Sequence, residues 1–198
     1  AVILQATDEE SGVMLEKLGC YGEARDILRI HGIGGAYVHQ DRLTGVTEWQ
    51  FEGQEIFKKA VTGMGGACED VLRRAGKTPD EVDLVIPHQA NLRIIEYVAK
   101  RANVPMDRVF VNVQRYGNMS AATVPVALCE ALEQGRIKSG SLLLMPAFGG
   151  GLTFCAHLVR WGARTQPIGS SSIDLPPSPY SALELVQRYR RSKGHALT

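Results

Sequence analysis

The sequence has no long apolar run, no strong charge of either sign and no cysteine pattern typical of a zinc site or a disulfide framework. Its 198 residues carry a formal net charge of +1, from 22 Lys and Arg against 21 Asp and Glu. No apolar stretch approaches the roughly 18–20 residues of a transmembrane helix. The four cysteines show no C-x-x-C spacing. We therefore expect a globular protein of the reducing cytoplasm that has no metal and binds neither membrane nor nucleic acid.

The chain also has no initiator methionine and no secretory signal. It begins inside an apolar run that predicts a strand over residues 1–7, so we expect a fragment or a processed chain. The Gly-rich residues 31–37 lack the lysine and the strand–loop–helix setting of a P-loop, so no phosphate site is expected there. Residues 8–53 are predicted to form short strands and a mobile loop.

Hydrophobic periodicity divides the rest of the chain into alternating helices and strands. Helices are predicted over residues 53–76, 91–102 and 120–134, and strands over 82–86, 109–113, 142–147 and 152–161. This alternation favours an α/β layered domain with a mixed sheet, whose site lies where loops leave the strand ends. Residues 162–181 are rich in Gly, Ser, Thr and Pro and predict a linker, followed by a helix over 182–193. We expect one domain over 1–161 and a tail over 162–198.

Three of the predicted strands end in residues suited to binding a carbonyl oxygen. His88 follows the strand at 82–86, Asn118 follows the strand at 109–113, and Gly149, Gly150 and Gly151 follow the strand at 142–147. Each feature has an ordinary explanation: a buried histidine, a helix N-cap or a tight turn. Together, two neutral donors and a glycine turn at matching corners favour a site that stabilises an oxyanion or an enolate.

Four segments resemble the C-terminal half of β-ketoacyl-acyl-carrier-protein synthase III, the thiolase-fold enzyme that starts bacterial and plastid fatty acid synthesis. They are GQEIFKKAV (53–61), VIPHQANLRI (85–94), RYGNMSAATVP (115–125) and AFGGGLTF (147–154). The resemblance implies a thiolase-like layered α/β fold, with helices on both faces of a mixed five-stranded sheet, as one half of a two-half enzyme. Met119 stands where the family commonly has Thr, and residues beyond 161 lie outside the usual family pattern.

The resemblance implies a Cys–His–Asn site in which His88 and Asn118 are catalytic and Gly150 contributes to an oxyanion hole. None of Cys20, Cys68, Cys129 and Cys155 lies in the helix-start turn that the family's nucleophile occupies. The nucleophile is therefore expected in an N-terminal half that is missing from this chain. The implied reaction condenses an acyl-CoA primer, expected to be acetyl-CoA, with malonyl-acyl carrier protein. It needs no cofactor, and the complete enzyme is expected to be a homodimer.

The resemblance also assigns residues that bind the substrate and the carrier protein. The substrate-binding residues are Gly53, Phe57, Ala90, Asn91 and Phe148. The carrier-protein residues are Lys58, Arg93, Lys100 and Arg101. Two alternatives stay open: an acyltransferase or secondary-metabolite ketosynthase with another acceptor, and a non-catalytic partner subunit.

Overall fold

A computed structural model describes residues 2–31, 38–39, 42–43, 48–166 and 176–192. The chain divides into two compact units, Ala1–Gln166 and Pro167–Thr198. Most of the Gly-rich stretch at 31–37 and part of the predicted linker lie outside the described residues. No helix in the described ranges is both long enough and apolar enough to cross a membrane.

Eight strands and five α-helices make up the described structure. The strands are β1 (Gly12–Cys20), β2 (Leu28–His31), β3 (Val38–His39), β4 (Arg42–Leu43), β5 (Glu48–Phe51), β6 (Leu84–Val85), β7 (Leu142–Gly149) and β8 (Thr153–Arg160). The helices are α1 (Gly53–Arg74), α2 (Leu92–Arg101), α3 (Val113–Tyr116), α4 (Thr123–Glu133) and, in the tail unit, α5 (Ala182–Ser192).

The central sheet is mixed and has the order β1-β8-β7-β6. The pairs β1–β8 and β7–β8 are antiparallel, whereas β6 and β7 run parallel. Beyond β6, Val109 adds a fifth chain segment through one parallel bridge to Val85. The strands β2 and β5 form a separate antiparallel pair directly before α1. The predicted mixed sheet with helices on its faces is confirmed.

Helices cover both faces of this sheet because successive side chains of a strand point to opposite sides. On β7, Leu142 and Leu144 belong to one buried cluster, with residues of α1 and α2. Leu143, between them, belongs to a second cluster with residues of α4. Both faces are therefore buried, and the loops at the strand ends remain to form a site.

Two predicted strands are wrong. Residues 2–7 form no strand and are exposed, and the first strand begins only at Gly12. The expected strand over 109–113 is reduced to the bridge at Val109. The side chain of Gln89, in place of a neighbouring strand, forms hydrogen bonds with the backbone of this segment. Its Oε1 accepts the backbone N–H groups of Asn112 and Val113. Its Nε2 donates to the carbonyl of Phe110.

Candidate active site

The corners after the strands meet at one cleft of about 1820 Å³. Ten of the predicted site residues line it: Gly53, Phe57, Lys58, His88, Ala90, Asn91, Arg93, Asn118, Phe148 and Gly150. Lys100 and Arg101 do not line it. The structure therefore brings together the predicted catalytic, oxyanion and substrate-binding residues from four separate chain segments.

His88 is held at the end of the segment that runs beside β7. Its backbone N–H donates to the carbonyl of Pro146 at 2.9 Å. Its Nδ1 lies 2.5 Å from the hydroxyl oxygen of Thr123, the first residue of α4. Burial lowers the pKa of His88 from its ordinary value. The imidazole is therefore neutral at pH 7, and Nε2 has no hydrogen-bond partner among the residues that the structure describes.

Asn118 has its amide oriented by the turn that follows it. Gly117 adopts a positive φ of 64°, which a glycine tolerates without strain, and ends α3. The Oδ1 of Asn118 then accepts the backbone N–H of Ser120 at 2.9 Å. This bond uses the acceptor end of the amide. Across the described part of the chain no acceptor contacts Nδ2, so Asn118 contributes a donor to the cleft.

Gly150 lies in the turn between β7 and β8. A Cβ added at this position would meet no atom of the described residues within 4 Å. The backbone of Gly150 therefore lies open at the cleft, where a ligand can approach it closely. Phe148, at the end of β7, is partly buried and packs against the same hydrophobic cluster as α1.

The cleft also has an aromatic and a basic side chain, Phe57 and Arg93, in its lining. The ring of Phe57 meets Tyr97 edge-on at 5.4 Å between centroids. The guanidinium of Arg93 lies 5.9 Å from the centre of the Phe57 ring. Asn91 caps α2, because its Oδ1 accepts the backbone N–H of Arg93 at 2.9 Å. The side chain of Asn91 thus has a structural role besides the predicted contact with substrate.

The predicted basic residues divide into two groups. Lys58 and Arg93 lie at the cleft, where Lys58 is exposed and pairs with Glu55 at 2.7 Å. Lys100 and Arg101 lie at the far end of α2, roughly 12 Å along the helix from its start at 1.5 Å per residue. Arg101 forms an ion pair with Glu69 on α1 at 3.0 Å. A docking role for Lys100 and Arg101 remains a prediction that their position does not support.

No cysteine of the chain has the environment of a nucleophile. Cys155 lines the cleft, but burial raises the pKa of its thiol. Burial raises the pKa of Cys68 further, inside α1. Cys20 ends β1 and Cys129 lies within α4, both outside the cleft. In the described ranges, no group of three or more His, Cys, Asp or Glu side chains could hold a metal ion.

Three residues near the site were not identified from the sequence. Gln89 is fully buried and links the His88 corner to the segment leading to Asn118. Thr123 contacts His88 from 35 positions away. Trp49, on β5, is 69% exposed and lines the cleft. The sequence gives only a weak signal for Gln89, which is a polar residue next to a candidate histidine. Thr123 and Trp49 are identified only by the fold.

Residues 72–161 match the family model described as 3-oxoacyl-(acyl-carrier-protein) synthase III C terminal. A protein of Vibrio cholerae named beta-ketoacyl-acyl-carrier-protein synthase III 2 is 48% identical over 188 residues, which are 95% of this chain and 52% of that protein. One of Roseiflexus castenholzii, named beta-ketoacyl-acyl-carrier-protein synthase III, is 48% identical over 82% of this chain and 50% of its own length. The chain thus spans about half the length of these relatives.

A crystal structure of 3-oxoacyl-acyl-carrier-protein synthase III from Aquifex aeolicus shares the fold, with a TM-score of 0.68 and 42% identity over 79% of this chain and 46% of that one. The Vibrio match leaves only 10 of the 198 residues uncovered, so it extends well into the 37 residues after Trp161. The tail is therefore shared with that relative, although it lies outside the pattern expected of the family.

Proposed function

We propose that this chain forms the decarboxylating part of a ketoacyl synthase active site. It carries the C-terminal domain of a 3-oxoacyl-acyl-carrier-protein synthase III and has its thiolase-type fold. The observation that carries the proposal is that His88 and Asn118 line one cleft, and that neither His88 Nε2 nor Asn118 Nδ2 has a hydrogen-bond partner among the described residues. The reaction condenses an acyl-CoA primer with malonyl-acyl carrier protein in the cytoplasm and initiates fatty acid synthesis.

The reaction begins on a cysteine thiolate, which attacks the acyl-CoA thioester and releases CoA. Cys155 lines the cleft, but burial raises the pKa of its thiol, and the other three cysteines do not line the cleft. We therefore assign the nucleophile to polypeptide outside these 198 residues. The backbone N–H of Gly150, together with that of the nucleophile, stabilises the oxyanion of this acyl transfer.

Decarboxylation is the step in which His88 and Asn118 act. The malonyl thioester carbonyl accepts hydrogen bonds from Nε2–H of His88 and Nδ2–H of Asn118. As CO2 leaves, the electron pair of the broken bond moves onto that oxygen, and the two donors stabilise the enolate. The enolate carbon then attacks the acyl carbon of the acyl-cysteine, and the thiolate leaves. A neutral His88 suffices, since this step asks it to donate a hydrogen bond and not to transfer a proton.

The alternative of a non-catalytic partner subunit does not explain these two donors. A subunit that only stabilised a dimer would have no need for an oriented Asn118 amide in the same cleft as a buried neutral His88. Other acyl primers and acceptors use the same two donors, so the donor pair supports the reaction class and the family name supports the carrier protein as partner.

In the complete enzyme, His88→Ala and Asn118→Ala should each lower the rate of condensation by roughly 10²–10³, the scale of one oxyanion-hole donor. His157→Ala is the matched control, because His157 lies on β8 and does not line the cleft. Condensation at the wild-type rate in both cleft variants would contradict the proposal. The 198-residue chain by itself should show no turnover with acetyl-CoA and malonyl-acyl carrier protein, and turnover would show that it contains its own nucleophile.

A further inference from the structure

Thr123 makes the contact that decides which nitrogen of His88 carries the proton. Its hydroxyl oxygen lies 2.5 Å from His88 Nδ1 and 2.9 Å from the carbonyl oxygen of Ser120. Thr123 is 1% exposed, so its hydroxyl has no access to solvent as an alternative partner. A neutral imidazole has one N–H. The hydrogen bond made at one ring nitrogen therefore decides which of the two nitrogens carries the proton.

The hydroxyl has a single proton, so only two arrangements exist. If it donates to Ser120, then Nδ1–H of His88 donates to Thr123, and Nε2 faces the cleft as an acceptor. If it donates to His88 Nδ1, then Nε2 carries the proton and faces the cleft as a donor.

We propose that the Thr123 hydroxyl donates to His88 Nδ1 and so holds the imidazole in the tautomer that presents Nε2–H to the substrate. The proposed function needs a donor at Nε2, so Nδ1 must accept a hydrogen bond, and the Thr123 hydroxyl is the group that lies within hydrogen-bond distance of Nδ1. The Ser120 carbonyl keeps a donor in this arrangement, because the backbone N–H of Thr123 bonds to it.

Thr123 is thus a positioning residue for the condensation and not a catalytic one. The inference rests on the proposed function, which requires a hydrogen-bond donor at Nε2. It also explains how a histidine with no ion-pair partner among the described residues presents a fixed N–H. The ring need not be protonated, since the threonine sets the tautomer.

The tautomer is measured directly by ¹⁵N NMR of the ring nitrogens in the folded 198-residue chain at pH 7.5, with His88→Gln used to assign the signal among the five histidines. The wild type and Thr123→Ser should show His88 protonated at Nε2. Thr123→Val, which keeps the shape and removes the hydroxyl, should show a mixture of tautomers. A wild-type signal protonated at Nδ1 would overturn the proposal and make Nε2 a base.

In the complete enzyme, Thr123→Val should lower condensation roughly tenfold, the scale of one neutral hydrogen bond. Acylation of the nucleophile should be unchanged, and Thr123→Ser should restore condensation. Equal losses in the serine and valine variants would show that only the packing of the methyl group matters. Normal condensation by His88→Ala would refute the proposed function, whereas a loss in His88→Ala with none in Thr123→Val refutes the tautomer role alone.

Discussion

Replacing the buried Gln89 by leucine tests how the chain segments that carry His88 and Asn118 are joined. The side chain of Gln89 makes four hydrogen bonds of 2.9–3.1 Å, to two carbonyls and two backbone N–H groups. At about 1 kcal/mol net for each bond, Gln89→Leu loses about 4 kcal/mol. The added apolar burial returns about 1–2 kcal/mol. We therefore expect the free energy of unfolding to fall by about 2–3 kcal/mol, a large part of the roughly 5–15 kcal/mol typical of a domain.

Urea denaturation of the 198-residue chain, followed by circular dichroism, measures this change. Gln114→Leu is the matched control, because Gln114 is exposed and its Nε2 makes one long bond of 3.4 Å. The control should stay within about 0.5 kcal/mol of the wild type. A Gln89→Leu chain as stable as the control would refute the claim that this side chain replaces the missing strand ladder at residues 109–113.

Three further predictions concern charge, pH and the tail. Arg93→Glu should raise KM for carrier-linked malonyl substrate far more than for a CoA-linked analogue, and added salt should weaken the wild-type interaction. Equal losses for the two substrate forms would place the docking face elsewhere, and the same comparison for Lys100→Glu, which lies away from the cleft, shows whether the docking surface extends along α2. Because burial lowers the pKa of His88, the unfolded state binds the proton more tightly, and the free energy of unfolding should fall as the pH drops below about 6.5. The midpoint of urea denaturation should drop less in His88→Gln than in the wild type. An equal drop in the two proteins would contradict a buried neutral ring. Deleting residues 162–198 should leave condensation by the complete enzyme intact, and its loss from a folded deletion variant would show that the tail contributes to the site.

The helices and the long strands were predictable because their burial is periodic. The buried positions of α1 recur at helical spacing, among them Ile56, Ala60, Met64 and Val71. The strands β7 and β8 are largely apolar runs that a glycine turn joins. The apolar pattern at 109–113 predicted a strand that does not form. The side chain of Gln89, more than 20 positions earlier, forms the hydrogen bonds that a neighbouring strand would form.

The candidate site was predictable where a residue type alone suggests chemistry. His88, Asn118 and Gly150 are recognisable one by one in the sequence, and the cleft brings them together, although Asn118 follows the short helix α3 and not the predicted strand. Thr123 is an ordinary helix residue in the sequence, and its role depends on a contact across 35 positions. The four predicted carrier-protein residues divide for a geometric reason, since Lys100 and Arg101 are close to Arg93 in sequence but lie more than a helical turn farther along α2. Their docking role stays a prediction.

The most direct test of the donor pair separates the two half-reactions in the complete enzyme. Release of CO2 from malonyl-acyl carrier protein and transfer of the acyl group from acyl-CoA to the nucleophile are measured independently for wild type, His88→Ala and Asn118→Ala. If these side chains stabilise the enolate, CO2 release falls by roughly 10²–10³ in each variant, while acyl transfer stays close to the wild-type rate. Normal CO2 release with impaired acyl transfer would contradict the account, because it would place both residues in the wrong half of the reaction.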